Sequence, residues 1–319
     1  GIKVAAFVQG IAAFLLLVIG VSFFLPGVVF GDLERLVPQF TSFDGYLAVV
    51  VMTPFLFLGF DVIPQIAEDI DLPRRTMGRL LLFSIGLALS WYVLVQWTVG
   101  VTLESESLVG RELPTADAMS VVYGSQWGGR ALVIGGVLGI ATSWNAFFMA
   151  ASRLLFAMAR GAMLPAVFAK LHPRYQSPVA AIVLLTACTV IAPFFGRPAL
   201  VWLVDAGGFA AVVAYGLVAV SFLVIRRRFP DLPRPFRLPY PKVVGGLALG
   251  STLVFVVLYL PGSPVALTWP YEWAIIGIWV LLGMVFSLGL DRRVRRIGQL
   301  RRNQLILGDY ADVMQVKDS

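Results

Sequence analysis

The chain has 319 residues, of which 59% are hydrophobic and only 13% are charged. Because soluble domains are about 25% charged, this composition excludes an ordinary soluble protein and predicts an integral membrane protein. The formal net charge of +7 would suit a nucleic-acid partner, but the positions of the basic residues fit membrane topology instead, so we expect no nucleic acid.

Hydrophobic runs of about 18 residues or more predict transmembrane helices. Eight such runs occur along the chain, at 4–25, 45–67, 79–101, 131–157, 178–195, 201–225, 243–260 and 271–290. They predict a transmembrane domain over 1–290, followed by a polar cytoplasmic tail over 291–319. The first run begins almost at residue 1, a glycine, and is too long for a signal-peptide core. We therefore expect the chain to be a piece whose upstream part is missing.

The distribution of Lys and Arg predicts the orientation of these helices. When residue 1 is placed in the cytoplasm and the runs alternate, all but four of the 25 Lys and Arg residues fall on the cytoplasmic side. The four exceptions are Arg35, Arg111, Arg130 and Arg197. This is the bias of the positive-inside rule, so we expect a multi-pass protein of the cell membrane with both termini of the chain in the cytoplasm.

The sequence carries no constellation typical of catalysis or of metal binding. Its one cysteine, Cys188, lies in a hydrophobic run and fits a small packed side chain. Its one histidine, His172, lies in a basic loop. Nucleophile–base pairs, phosphate-binding glycine loops and paired-histidine motifs are absent from the sequence. We therefore predict no enzyme activity, no cofactor and no metal.

The run 45–67 contains three helix breakers, Pro54, Gly59 and Pro64, in the middle of a segment long enough to cross a bilayer. A broken helix frees backbone amides and carbonyls that lipid cannot satisfy, so such breaks face protein or a wet cavity. We expect the two pieces to meet around residues 58–60, near the middle of the membrane. The run therefore predicts half of a transport site.

Backbone and aromatic groups at this break are candidates for substrate binding. Carbonyls freed at Leu58, Gly59 and Phe60 could accept hydrogen bonds from an ammonium group or coordinate a cation. The rings of Phe55 and Phe60 could pack on a substrate, close a gate or contact an amine. Packing in the core or against lipid is the alternative for each ring.

The carboxylate Asp61 follows the break directly and has two possible roles. A carboxylate at membrane depth is a functional-site hypothesis by default, so Asp61 could take up and release a proton. Alternatively, Asp61 could fix the broken helix by accepting hydrogen bonds from backbone N–H groups. The sequence does not decide between these roles.

The run 131–157 offers a second candidate wall of the site. Asn145 is costly in lipid, so its side chain should face the protein interior. Small residues on the same helix favour close packing with a neighbouring helix, and packing alone is the alternative explanation. These small residues are Gly135, Gly136, Gly139, Ala146 and Ala150.

The loop after the broken run alternates acidic and basic residues. Glu68, Arg74 and Arg75 could form ion pairs that change between open and closed states on the cytoplasmic side, and a solvated loop is the alternative. Exposed ion pairs contribute at most about 1 kcal/mol, so they could bias a gate but could not lock it.

Several ordered motifs resemble amino acid permeases of the amino acid–polyamine–organocation superfamily. Gly59-Phe60-Asp61, Ala67-Glu68-Asp69 and Pro73-Arg74-Arg75 are similar to the sixth helix of that family and its following loop. The segment 152–160 resembles the eighth helix, and Gly1-Ile2-Lys3 resembles the start of the fifth.

This resemblance implies a leucine-transporter-like fold of twelve helices, of which the eight predicted spans would be helices five to twelve. The sixth-helix break would then supply carbonyls to the substrate amine, with Phe55 as a gating aromatic and Asp61 as the carboxylate after the break. On the eighth helix, a site-facing aromatic would fall near Phe147. Many proton-coupled members carry a lysine partway along the fifth helix, but that position falls near Leu16 here, which leaves the coupling ion open.

The resemblance implies a secondary active transporter of amino acids or related amines that works by alternating access. It would exchange substrates or be coupled to an ion, a proton in preference to sodium. The alternative is a non-transporting sensor or partner subunit built on the same fold. Membrane lipid is a further expected partner, since the basic segments 226–242 and 291–302 could bind anionic headgroups, although plain orientation charge explains them more simply.

Overall fold

A computed structural model of the protein describes residues 2–36, 42–65 and 73–311. Throughout those residues the chain forms α-helices, turns and short 3₁₀ helices, with no β-strand. The α-helices are α1 Ile2–Phe30, α2 Phe43–Leu56, α3 Val62–Gln65, α4 Arg74–Thr102, α5 Pro114–Val122, α6 Gln126–Arg160, α7 Val179–Ile191, α8 Gly196–Arg228, α9 Pro241–Tyr259, α10 Tyr271–Leu288, α11 Leu290–Ile297 and α12 Gln299–Leu307. The predicted all-α polytopic fold class is confirmed.

Within the described residues, six helical stretches are long and apolar enough to cross a membrane. They are Phe7–Phe30, Arg75–Thr102, Gln126–Arg160, Val179–Arg228, Pro241–Tyr259 and Tyr271–Leu288. The sequence predicts eight spans, and the difference has two causes. The predicted run 45–67 is broken, so α2 has only 14 residues, and the runs 178–195 and 201–225 together make up the stretch Val179–Arg228.

The stretch Val179–Arg228 is nevertheless two helices. A 3₁₀ turn over Ala192–Phe195 ends α7, and Gly196 then has a φ of +78° before α8 continues. A residue with a side chain is strained at that φ, so glycine allows the chain to leave one helix and start the next. The two runs predicted from the sequence therefore correspond to separate elements.

The chain divides into two compact units. The first comprises residues 1–45 and 79–147. Its core includes Phe23, Phe24 and Met119, and the ring of Trp91 packs edge-on against Phe24 with centroids 4.9 Å apart. Gly20 lies so close to Trp91 that a Cβ at this position would overlap the indole. Glycine therefore permits the close approach of α1 and α4.

The second unit comprises residues 46–78 and 148–319. Its core includes Val51, Val212 and Tyr259, which come from α2, α8 and α9. The Tyr259 hydroxyl donates a hydrogen bond of 3.0 Å to the carbonyl of Val51. This bond joins the first half of the broken segment to a helix that lies about 200 residues later in the chain.

The predicted polar tail is helical as far as Leu307. The guanidinium of Arg302 donates a 3.0 Å hydrogen bond to the carbonyl of Gly161, just after the end of α6. The Tyr310 hydroxyl donates at 3.3 Å to the carbonyl of Pro233, in the connector between α8 and α9. The tail therefore packs on other parts of the second unit.

Candidate functional site

The predicted break is present, and it lies in the second unit. Helix α2 ends at Leu56, residues 57–61 form a turn, and α3 begins at Val62. Gly59 has a φ of +123°, a conformation that side chains disfavour, so this residue type allows the turn. The expected meeting point at residues 58–60 therefore lies within the observed turn.

The turn leaves two backbone carbonyls without a hydrogen bond to any described residue, those of Leu58 and Phe60. Pro64 has no N–H group and so cannot donate to the carbonyl of Phe60, four residues before it. The N–H of Val62 donates at 3.2 Å to Gly59 instead of Leu58. Both oxygens can therefore accept a hydrogen bond from an ammonium group or coordinate a cation.

The carboxylate of Asp61 holds the turn together. One of its oxygens, Oδ1, accepts a 2.9 Å hydrogen bond from the N–H of Gly59, and the other, Oδ2, accepts a 2.8 Å bond from the side-chain amide of Gln65. The bond from the Gly59 N–H is the kind of contact that the structural role predicts, and that role stays a prediction. The proton-transfer role stays a prediction.

Aromatic side chains lie beside the break. The ring of Phe60 packs against that of Tyr215 in α8, with centroids 5.6 Å apart and an angle of 36° between the planes. The side chain of Phe55 is 37% exposed, so its ring is accessible in the second unit. An exposed ring before the break is compatible with a gate, and that role stays a prediction.

The two candidates on α6 belong to the first unit. Phe147 is exposed, and so is Asn145, whose side-chain amide donates a 3.1 Å hydrogen bond to the side chain of Gln9 in α1. The sequence predicts an inward-facing Asn145, and the described residues instead give it a polar partner on a neighbouring helix. A Cβ on Gly135 would lie 3.0 Å from Ile19, so part of the small-residue face packs closely on α1 as expected.

The cytoplasmic gate candidates are only partly described. Glu68 and the side chain of Arg74 lie outside the described residues. Arg75 is exposed in the first turn of α4. The proposed exchange of ion pairs in this loop therefore stays a prediction.

Sequence reasoning missed three partners of the site. Gln65 lies four residues after Asp61, a helical spacing that could have indicated the pair. Gln9 and Tyr215 each contact their site residues from distant helices, and a polar residue in a hydrophobic run was the only local signal for them.

The sequence matches the amino acid permease family over residues 2–282. The branched-chain amino acid permease BcaP of Bacillus subtilis is 27% identical, over 81% of this chain and 53% of its own length. The methylthioribose transporter of the same organism is 27% identical, over 75% and 49%, and its aspartate–proton symporter is 26% identical, over 73% and 51%. The chain spans about half the length of these curated relatives.

The family match covers most of the chain, including the broken segment, the helix α6 and Tyr215. It therefore confirms the resemblance indicated by the motifs around Gly59 and in 152–160. It also implies the leucine-transporter-like arrangement of helices that this superfamily shares. The chain belongs to the amino acid permease family of the amino acid–polyamine–organocation superfamily.

Proposed function

We propose that this protein is a secondary active transporter of amino acids or related amines that works by alternating access. The observation that carries the proposal is the turn at residues 57–61, where the carbonyls of Leu58 and Phe60 have no hydrogen bond to a described residue. Unwound carbonyls at membrane depth are suited to binding a cationic group. The neighbouring rings of Phe55 and Phe60 offer aromatic faces to the same group.

The proposed substrates, amino acids and simple amines, have an amino group in common. Two of the relatives are named for branched-chain amino acids and for aspartate, so the family accommodates different side chains. We propose that backbone carbonyls of residues 58–60 bind the ammonium group common to all such substrates. Selection among side chains falls to other positions, for which Phe55, Asn145 and Phe147 are our candidates.

A proton is the coupling ion that we propose, in preference to sodium. One relative is named as an aspartate–proton symporter, which supports this choice. Leu16 lies where many proton-coupled members carry a lysine and has no titratable group. Asp61 is the carboxylate at the break itself, and its hydrogen bonds to Gly59 and Gln65 would couple a change in its charge to the shape of the turn.

The proposed location and orientation of the protein come from the positions of its Lys and Arg residues. We propose that it resides in the cell membrane with both termini of this chain in the cytoplasm, because this orientation would place all but four of the 25 Lys and Arg residues on the cytoplasmic side. The acidic and basic loop with Glu68, Arg74 and Arg75 would then lie at the cytoplasmic mouth.

The proposal is tested by uptake into proteoliposomes that contain the protein expressed from its complete native gene. Labelled leucine, aspartate, arginine and a simple diamine are each offered with an imposed proton gradient, an imposed sodium gradient or none. We expect saturable accumulation of at least one substrate above empty liposomes, and faster accumulation with the proton gradient. Saturable binding without accumulation would instead identify a sensor or partner subunit. The absence of both binding and uptake would contradict the proposed substrate class.

A further inference from the structure

A pocket of about 300 Å³ lies against the broken segment in the second unit. Its lining includes Thr53 near the end of α2, Phe57 in the turn, Tyr215 on α8, and Ser251 and Thr252 on α9. Most of its lining is apolar, but hydroxyl groups come from all three helices. Among the described residues, no hydroxyl side chain lines the groove between α8 and α10, so the hydroxyl groups distinguish the pocket from that groove.

The hydroxyl of Tyr215 is buried and has no hydrogen-bond partner among the described residues. Buried polar groups in native proteins are almost always satisfied, and ordered water supplies the partner where protein does not. The ring of Tyr215 also packs on that of Phe60, the residue before Asp61, with centroids 5.6 Å apart. The side chain therefore connects the pocket to the turn of the broken segment.

The other hydroxyls of the pocket have used their hydrogens locally. The hydroxyls of Ser251 and Thr252 donate to the carbonyl of Ala248 at 3.0 and 2.9 Å, and that of Thr53 donates to Val49 at 3.2 Å. Each oxygen still has lone pairs to accept a bond. Among these described side chains, the Tyr215 hydroxyl is thus the free donor, and the other hydroxyl oxygens are acceptors. Water can accept a hydrogen bond from Tyr215 and donate hydrogen bonds to the other oxygens.

The position of the pocket along the helices also favours water. Tyr215 and Ser251 lie near the middle of α8 and α9, and the turn beside them has non-helical backbone. Such backbone is tolerated at membrane depth where it is buried in protein or lines a water-filled cavity. An ionised Asp61 can accept more hydrogen bonds than the two that Gly59 and Gln65 donate.

We propose that this pocket holds ordered water, anchored by the Tyr215 hydroxyl, which hydrates the broken helix from the side of α8 and α9. The water satisfies Tyr215 and the free lone pairs of the pocket, and it extends toward the Asp61 side of the turn. This inference deepens the proposed function by assigning a hydrated chamber to the broken segment. It does not require that the protein transport any particular substrate.

The single cysteine of the chain makes the pocket testable by chemical labelling. In a Cys188→Ser background, Thr252→Cys or Thr53→Cys places a thiol in the pocket. Leu253→Cys is the matched control, because this neighbour on α9 is apolar and 57% exposed. A charged methanethiosulfonate reagent reacts with thiolates, which form where water reaches the sulfur.

We expect the two pocket cysteines in proteoliposomes to react at least about tenfold faster than the Leu253→Cys control, because only the pocket is wet. Labelling rates equal to or below the control would show a dry pocket and overturn the inference. Adding Tyr215→Phe, which keeps the ring and removes the donor, should slow labelling at Thr252→Cys by about fivefold. An unchanged rate would overturn the role of Tyr215 as the anchor.

Labelling and uptake can fail independently. A fast-reacting pocket in a protein that takes up no substrate would leave the hydrated chamber intact and contradict only the proposed transport. Uptake by a protein whose pocket is dry would support the proposed transport and contradict the hydrated chamber.

Discussion

The sequence predicts that the broken segment α2–α3 and the helix α6 both line one site, but the backbone of the first is interrupted whereas that of α6 is continuous. Helix α6 continues through 35 residues although it contains Gly135, Gly136 and Gly139. The broken segment has one glycine in its turn, Gly59, and stops there. The number of glycines therefore does not predict where a membrane helix breaks.

The difference lies in what surrounds each glycine. Two residues after Gly59, the carboxylate of Asp61 accepts a hydrogen bond from the Gly59 N–H. Further along, Pro64 has no N–H group with which to donate to the carbonyl of Phe60. The glycines of α6 remain in helical geometry, and Gly135 serves to bring α1 close. Under the proposed function, the broken segment thus offers backbone carbonyls to a ligand, whereas α6 offers side chains such as Asn145 and Phe147.

The largest expected effect is that of Gly59→Ala. A side chain at φ +123° introduces strain of about 1–3 kcal/mol, so we expect the initial rate of uptake to fall more than about tenfold. Gly136→Ala in α6 is the matched control, since a Cβ there meets no atom within 4 Å. Equal uptake by the two variants would remove the distinction between the broken and the continuous helix.

Substitutions of Asp61 separate its two roles, and the next largest effect is expected for Asp61→Ala. This change leaves the Gly59 N–H without its acceptor, a loss of about 1–3 kcal/mol, and should reduce uptake about tenfold. Asp61→Asn keeps an oxygen that can accept this bond, so under the structural role uptake stays within about threefold of the unmodified protein. If Asp61→Asn abolishes proton-driven uptake but spares exchange, the structural role alone is insufficient.

A smaller effect is expected from the bond that attaches α2 to α9. Tyr259→Phe removes the hydrogen bond to Val51 and should lower the free energy of unfolding by about 0.5–1.5 kcal/mol, seen as a lower thermal unfolding temperature in detergent. Tyr240→Phe is the control, because Tyr240 is 80% exposed. Identical unfolding temperatures for the two variants would show that this bond does not hold the broken segment.

The smallest expected effect concerns α6. Asn145→Ala and Gln9→Ala each remove an exposed hydrogen bond, so we expect both to change the free energy of unfolding by less than about 0.5 kcal/mol. Uptake distinguishes the roles of Asn145. If Asn145 lines the site, only Asn145→Ala raises the substrate concentration at half-maximal uptake, and matching uptake in both variants would reduce Asn145 to packing.

Local patterns in the sequence explain why much of the fold could be predicted. Hydrophobic runs indicated α1, α4, α6, α9 and α10 because a helix in lipid must satisfy its own backbone and bury only apolar side chains. Breakers close together in sequence indicated the turn near Gly59 for the same reason.

Contacts between distant segments could not be predicted in this way. The bond from Tyr259 to Val51 joins residues 208 positions apart, and the pairs Asn145–Gln9 and Phe60–Tyr215 are also long-range. Helical periodicity specifies which residues share a face but not which helix will cover that face. A single sequence therefore indicated the turn but not the tyrosines that support it.

The central claim is that carbonyls at the helix break bind the amine of the substrate. Its most direct test is competition, in proteoliposomes, between the best labelled amino acid and two unlabelled compounds: the same amino acid and its analogue without the amine. The account predicts that loss of the charged hydrogen bonds, each worth about 1.5–3 kcal/mol, makes the analogue at least about a hundredfold weaker as a competitor. Equal competition by the two compounds would contradict the claim.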